Sequence, residues 1–297
     1  MKRLLFIYNP QAGKGLIKSH LANVVDLFTK AGYLVTVWPT QGKADAARVA
    51  ARQGWWYDRV VCCGGDGTLS ETVSGLLTLD APPVLGYIPA GTTNDFSKNL
   101  GLPRGVEKAA VTAVEGPPRP CDMGRFNDKT FVYVAAFGIF TDVSYDTPQE
   151  FKNAFGHLAY VLEGATKLGD LGRGYHLTVE HDGGTLEGDF IYGMVTNTNS
   201  VGGFKVFPSN KVSLDDGVFE VVLVRQPKNV ADLQAALVSL VRQNREESRQ
   251  VAAFHTHRLK VTATEPLPWT LDGEYGGDPE VAKIENLNKA ITLVWGK

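Results

Sequence analysis

Cysteine is scarce. Cys62, Cys63 and Cys121 are the only three in 297 residues, and two of them are adjacent. That supply makes neither a disulfide framework nor the Cys-x-x-Cys spacing of a zinc site, and it fits a reducing cytoplasm. Long apolar runs are missing too. Met1-Lys2-Arg3-Leu4-Leu5-Phe6-Ile7-Tyr8 is basic and then apolar, but Asn9-Pro10 stops it short of a signal-peptide core. Nothing approaches the roughly 20 residues that span a bilayer, which excludes an integral membrane protein on this reading. Nor is there an excess of one charge: 30 basic and 32 acidic residues leave a formal net charge of -2. Nucleic acid is therefore not an expected partner, and any contact with a lipid surface has to be local. The six histidines are scattered; His255 and His257, near in sequence, could form a metal pair, but with no further ligands at fitting spacing, surface or structural histidines are the plain reading. No internal repeat or low-complexity segment is apparent.

What is present is length for two domains and, in the first half, a regular alternation of strand and helix patterns. Strands are expected at 4–8, 34–38, 59–63 and 84–88, with helices between them. The stretch that organises the rest is Cys62-Cys63-Gly64-Gly65-Asp66-Gly67-Thr68-Leu69-Ser70-Glu71, which reads as strand, tight turn and helix. Backbone N–H groups at a helix N-terminus, with the positive end of the helix dipole, favour an anion, and glycine lets phosphate oxygens come close. A carboxylate there is repulsive toward phosphate unless a divalent cation or a basic group intervenes, so Asp66 suggests a Mg-nucleotide. An ordinary glycine turn with an exposed Asp is the plain alternative.

Two further strands end in comparable turns. Asn9-Pro10-Gln11-Ala12-Gly13-Lys14-Gly15 offers polar atoms and a lysine but lacks the spacing of a Walker loop, and Pro89-Ala90-Gly91-Thr92-Thr93-Asn94-Asp95-Phe96 follows the fourth strand. Parallel sheets carry their ligand-binding turns at the carboxyl ends of their strands, so three such turns in succession line one edge. Here the sequence resembles the diacylglycerol kinase catalytic-domain family, and within it the soluble bacterial diacylglycerol and lipid kinases. Asn9-Pro10-x-x-Gly13-Lys14, Gly64-Gly65-Asp66-Gly67-Thr68 and Pro89-x-Gly91-Thr92-x-Asn94-Asp95-Phe96 match its motifs in order. The resemblance implies an ATP site made by Asn9, Pro10, Gln11, Ala12, Gly13, Thr40, Gly65, Asp66, Gly67, Thr68, Leu69, Ser70, Glu71 and Thr92, with Asp66 near the Mg2+ and phosphates. NAD kinases share the Gly-Gly-Asp-Gly-Thr element, and the Gly91-Thr92-x-Asn94-Asp95-Phe96 segment favours the lipid kinases.

Glu115-Gly116-Pro117-Pro118-Arg119-Pro120 is the strongest punctuation in the chain, and strands at hairpin-like spacing follow it. The expected organisation is an ATP-binding, Rossmann-like α/β domain over 1–122 and a β-rich lipid-substrate domain over 123–297, an antiparallel β-sandwich carrying helices. Strands are expected at 131–140, 175–181, 185–198, 218–224, 258–264 and 291–295, and helices at 149–168 and 229–245. Trp55-Trp56-Tyr57 reads as a helix cap packed over the sheet edge.

The resemblance continues through Asp122-x-Gly124, Ser144-Tyr145-Asp146-Thr147-Pro148, Asn197-x-x-x-x-Gly202-Gly203-Phe204 and Leu271-Asp272-Gly273-Glu274-Tyr275-Gly276-Gly277. It assigns the catalytic base to Glu274. An Asp-Gly hairpin turn is the plain reading of the same residues, and Asp272 is the rival base, set apart from Glu274 by the reach of an extended segment. The resemblance also places a structural Mg2+ on the Asp216 carboxylate and the carbonyls of Ser213 and Val218. It implies phosphorylation of diacylglycerol to phosphatidic acid by a cytoplasmic enzyme, peripheral at the inner membrane face, in a family whose members are often dimers. Another lipid acceptor (ceramide, sphingosine or polyprenol), an NAD kinase, or a non-catalytic lipid-binding protein are the alternatives.

Overall fold

The alternating patterns of the first half fold as they read. In the computed structural model, which describes residues 1–92, 94–138, 174–198, 200–201, 204–205, 212–242 and 249–296, the elements are β1 (Lys2–Tyr8), α1 (Leu16–Lys30), β2 (Tyr33–Pro39), α2 (Asp45–Gln53), β3 (Arg59–Gly64), α3 (Asp66–Leu76), β4 (Val84–Pro89), α4 (Asp95–Asn99) and α5 (Val106–Glu115). The four strands are parallel in the order β4-β3-β1-β2. Successive strand residues point to opposite faces. Leu4, Phe6 and Tyr8 accordingly join the cluster containing Ile17, Val24 and Phe28 of α1, while Leu5, Ile7 and Val60 are fully buried as well. This two-sided burial explains why the strands read as continuous apolar runs.

The chain divides into two units, 1–123 with 288–297 and 124–287. β5 (Pro118–Phe126) carries it out of the first unit and β17 (Val281–Val294) carries it back. Nothing in the sequence signals that return, because the expected strand at 291–295 covers only the end of a strand of 14 residues. Leu293 pairs in parallel with Leu85 of β4, and Gly296 N–H donates to the Leu100 carbonyl at 2.8 Å. The proline cluster at the expected boundary opens a strand. Pro118 is the first residue of β5, a place where a missing N–H is tolerated.

The second unit is antiparallel: β6 (Lys129–Phe131), β7 (Val134–Gly138), β8 (Tyr175–His181), β9 (Gly184–Thr196), β10 (Ser200–Val201), β11 (Phe204–Lys205), β12 (Phe219–Arg225), α6 (Val230–Arg242), β13 (Val251–Thr256), β14 (Arg258–Ala263), β15 (Trp269–Leu271) and β16 (Glu274–Gly277). The long β9 pairs β8 along its first half, then β7 and β12 along its second, so it serves both parts of the β-sandwich. Trp269 is fully buried, with ring centroids 4.9 Å from Phe137 and 5.0 Å from Phe126. The expected strand at 131–140 is broken at Val132-Tyr133. The expected helix at 149–168 and the Ser144 to Pro148 motif lie outside the described residues.

Cys62, Cys63 and Cys121 are buried and free, and burial pushes the Cys63 thiol up to about 12. Trp55 and Trp56 are not packed down: they are 63% and 48% exposed, although Trp55 Nε1 does cap α2 by donating to the Arg52 carbonyl at 3.2 Å. Among the described residues no helix is long and apolar enough to cross a membrane.

Candidate active site

The carboxyl ends of the four parallel strands are locked level by backbone bonds. Asn9 N–H donates to the Cys63 carbonyl at 2.9 Å, Thr40 N–H to that of Tyr8 at 2.9 Å, and Ala90 N–H to that of Gly64 at 2.8 Å. In the first turn Asn9 Oδ1 accepts Gln11 N–H at 2.9 Å, and Gly13 takes φ 55°, where a Cβ would lie 2.2 Å from the Ala90 carbonyl oxygen. The second and third turns meet through bare backbone, since a Cβ on Gly91 would stand 2.6 Å from the Gly65 Cα. Asp95 N–H donates to Asp66 Oδ2 at 3.1 Å. Three turns distant in sequence thus form one backbone-lined surface.

Gly65 precedes α3 as its N-cap, and no side chain caps that helix. A Ser, Thr or Asp at the cap would spend first-turn N–H groups internally. Glycine leaves them to a ligand, and the arrangement fits a phosphate chain. Thr68 and Leu69 are buried, Leu69 completely, so both act by packing the turn from beneath. Glu71 Oε1 accepts Ala44 N–H at 2.7 Å and so ties α3 to the turn after β2. Ser70 is half-buried, and Gln11 and Thr92 are exposed at the rim.

Three supports go beyond the residues expected from sequence. Asn94, at φ 47°, closes the third turn by accepting Gly91 N–H at 2.8 Å and donating to the Gly91 carbonyl at 2.7 Å. Tyr87 hydroxyl donates to the Gly64 carbonyl at 3.2 Å. Asp45 accepts Gln41 N–H at 2.8 Å, and that bond is the main reason its carboxyl is held below the usual range. The left-handed asparagine was readable as turn chemistry; the buried tyrosine and aspartate had no sequence signal.

In the second unit Glu274 opens β16 and is exposed. It faces Leu271 across a two-residue loop whose Asp272 and Gly273 take φ 51° and 86°, the positive pair that a type I′ hairpin requires. The Asp-Gly hairpin turn of the plain reading is therefore present, with Glu274 at its exit. Asp272 is not separated from Glu274 along an extended segment, as expected, but turns inward. It is 6% exposed and accepts the N–H groups of Val132, Tyr133 and Val134 at 2.7, 3.0 and 3.2 Å. A carboxylate saturated by backbone donors has little basicity left to offer.

The loop of the expected structural cation has Gly217 at φ 83°, Asp216 Oδ1 accepting Val218 N–H at 3.2 Å, and Ser213 Oγ donating to Asp215 Oδ1 at 2.7 Å. Among the described residues no three His, Cys, Asp or Glu side chains gather as a metal cage.

Residues 3–126 match the diacylglycerol kinase catalytic domain, and residues 136–294 match the YegS C-terminal NAD kinase beta sandwich-like domain. The chain is 39% identical over 280 residues to the diacylglycerol kinase of Bacillus subtilis (strain 168), covering 93% of this chain and 91% of that one. The chain belongs to the diacylglycerol kinase family. A second member, the diacylglycerol kinase of Staphylococcus aureus (strain JH9), is 34% identical over 294 residues, covering 98% and 92% of the two chains. The fold of the family extends to a crystal structure of a diacylglycerol kinase from Bacillus anthracis str. Sterne, with a TM-score of 0.77 at 22% identity over 99% of this chain and 97% of that one. The likeness to family members thus runs through both units, from the three turns to the hairpin of Glu274.

Proposed function

We propose that this chain is an ATP- and Mg2+-dependent diacylglycerol kinase, phosphorylating the primary hydroxyl of the lipid to give phosphatidic acid. The observation that carries the reading is the close meeting of the three strand-end turns, where a side chain on Gly13 or Gly91 would strike backbone, beside the N-terminus of α3 that no side chain caps. Bound ATP would supply the γ-phosphoryl group, which moves to the acceptor oxygen as its bond to ADP breaks. Asn9 to Gly13, Thr40, Gly65 to Glu71 and Thr92 make up the nucleotide site. There the positive end of α3 offsets phosphate charge, and Asp66 supplies a carboxylate for the divalent ion.

Glu274 takes the proton of the acceptor hydroxyl, which is a poor nucleophile while neutral, an effect worth typically 10²–10⁴ in rate. Asp272 cannot substitute, because its oxygens are committed to backbone N–H groups. Asp216 with the Ser213 and Val218 carbonyls is an all-oxygen donor set of the kind Mg2+ prefers, and it would hold a structural ion in the second unit. Diacylglycerol lies in a membrane, so the enzyme reaches it by local peripheral contact at the inner face.

The test offers radiolabelled ATP with diacylglycerol, ceramide, sphingosine or polyprenol in mixed micelles, and with NAD in the absence of lipid. Label is expected in phosphatidic acid. Preferential phosphorylation of NAD would select the NAD kinase alternative.

A further inference from the structure

Glu274 stands on a weakly supported strand. β16 has four residues, ends the sheet order and, among the described residues, pairs with β15 alone. β15 is held in the sheet by β7, whereas β16 lies at the edge, and short exposed edge strands open locally at low free-energy cost. A catalytic group needs its position held within about 0.5 Å by a supporting shell. Pairing of the edge strand with β15 does not provide that by itself.

Two anchors flank the residue, and both reach the segment between Lys129 and Val134. Two positions before Glu274, the Asp272 carboxylate binds three consecutive N–H groups at 2.7–3.2 Å, and Asp272 N–H donates back to the Val134 carbonyl at 2.8 Å. Two positions after it, the Gly276 carbonyl accepts Lys129 Nζ at 2.7 Å. The captured segment is itself fixed, since the Tyr133 carbonyl accepts Thr196 Oγ1 at 2.7 Å and Asn197 N–H at 3.0 Å. An Asp-Gly turn closes a hairpin without burying its carboxylate. Here the carboxylate is buried and spent on three amides, where the break between β6 and β7 leaves N–H groups outside a ladder. We infer that Asp272 and Lys129 are positioning residues that hold the hairpin so that Glu274 meets the acceptor hydroxyl. This rests on the reading of Glu274 as the base.

Asp272→Asn replaces one acceptor oxygen with an NH2 group that faces N–H donors, so it also endangers folding. Lys129→Met keeps the aliphatic stem and removes only the bond to Gly276, which makes it the decisive variant. The experiment measures kcat and KM for Lys129→Met, Asp272→Asn, Glu274→Gln and the double variant Lys129→Met/Glu274→Gln on diacylglycerol micelles. Circular dichroism and thermal melting check each fold. A misplaced base costs turnover rather than nucleotide binding. Lys129→Met should therefore lose at least about tenfold in kcat with the KM for ATP unchanged. In the Glu274→Gln background the same substitution should have no further effect, because the placement of an absent base no longer matters. Wild-type kcat for Lys129→Met with Glu274→Gln impaired would overturn the inference alone, as would an equal loss in both backgrounds. Wild-type turnover by Glu274→Gln would overturn the assignment of the base and the inference together.

Discussion

Asp66 and Asp272 show how one residue type is used in opposite ways. Asp66 is half-buried at the first position of α3, with Oδ2 accepting Asp95 N–H, in the turn that meets Gly91. Asp272 is buried and bonded to three amides of its own unit. In sequence both are an Asp beside glycine, and only the surroundings separate the proposed ligand group from the anchor. The nearly isosteric Asp66→Asn should retain the melting temperature while lowering kcat/KM by at least about a hundredfold, a transition-state loss of about 3 kcal/mol. Steady-state assays with varied Mg2+ check this. A folded Asp66→Asn enzyme with near-wild-type turnover would reduce the turn to scaffold.

At the scale of elements, the strand–turn–helix units at Asn9 and Gly65 and the strand-end turn at Gly91 were legible because glycine and polar residues break strong apolar patterns there. What pattern could not give was their mutual approach. The Gly65 and Gly91 turns meet because β3 and β4 are neighbours with Cys63 beside Ile88 and Gly64 beside Pro89, a property of sheet order. Gly91→Ala would force backbone against backbone, since the new Cβ meets the Gly65 Cα at 2.6 Å. It should raise the KM for ATP at least about tenfold while the antiparallel unit stays folded, as a fluorescence melt of Trp269 and its neighbours can show. An unchanged KM would mean that the two turns need not touch. The Asp216 loop is tested separately: Asp216→Ala should lower the melting temperature in Mg2+ and abolish the gain that Mg2+ gives the wild type. An unaltered Mg2+ response would remove the ion from that loop.

At the scale of the whole molecule, the architecture was readable, an α/β half followed by an antiparallel sandwich, because two-sided burial and hairpin spacing leave different patterns. The route of the chain was less so. β5 begins within the prolines that mark the boundary, and the 14 residues of β17 (281–294) end in the first unit, far in sequence from β4 (84–89), where local pattern carries no information. The inward turn of Asp272 was equally hidden, since its partners Val132 to Val134 lie about 140 residues earlier. The central claim is that the first unit binds ATP so that its phosphoryl group is passed to a lipid hydroxyl. It is tested most directly by incubating the purified chain with γ-labelled ATP, Mg2+ and diacylglycerol in anionic mixed micelles and extracting the lipid. The account predicts label in phosphatidic acid, rising with the surface fraction of diacylglycerol and lost in Asp66→Asn. An organic phase without label from folded, ATP-binding protein would contradict it.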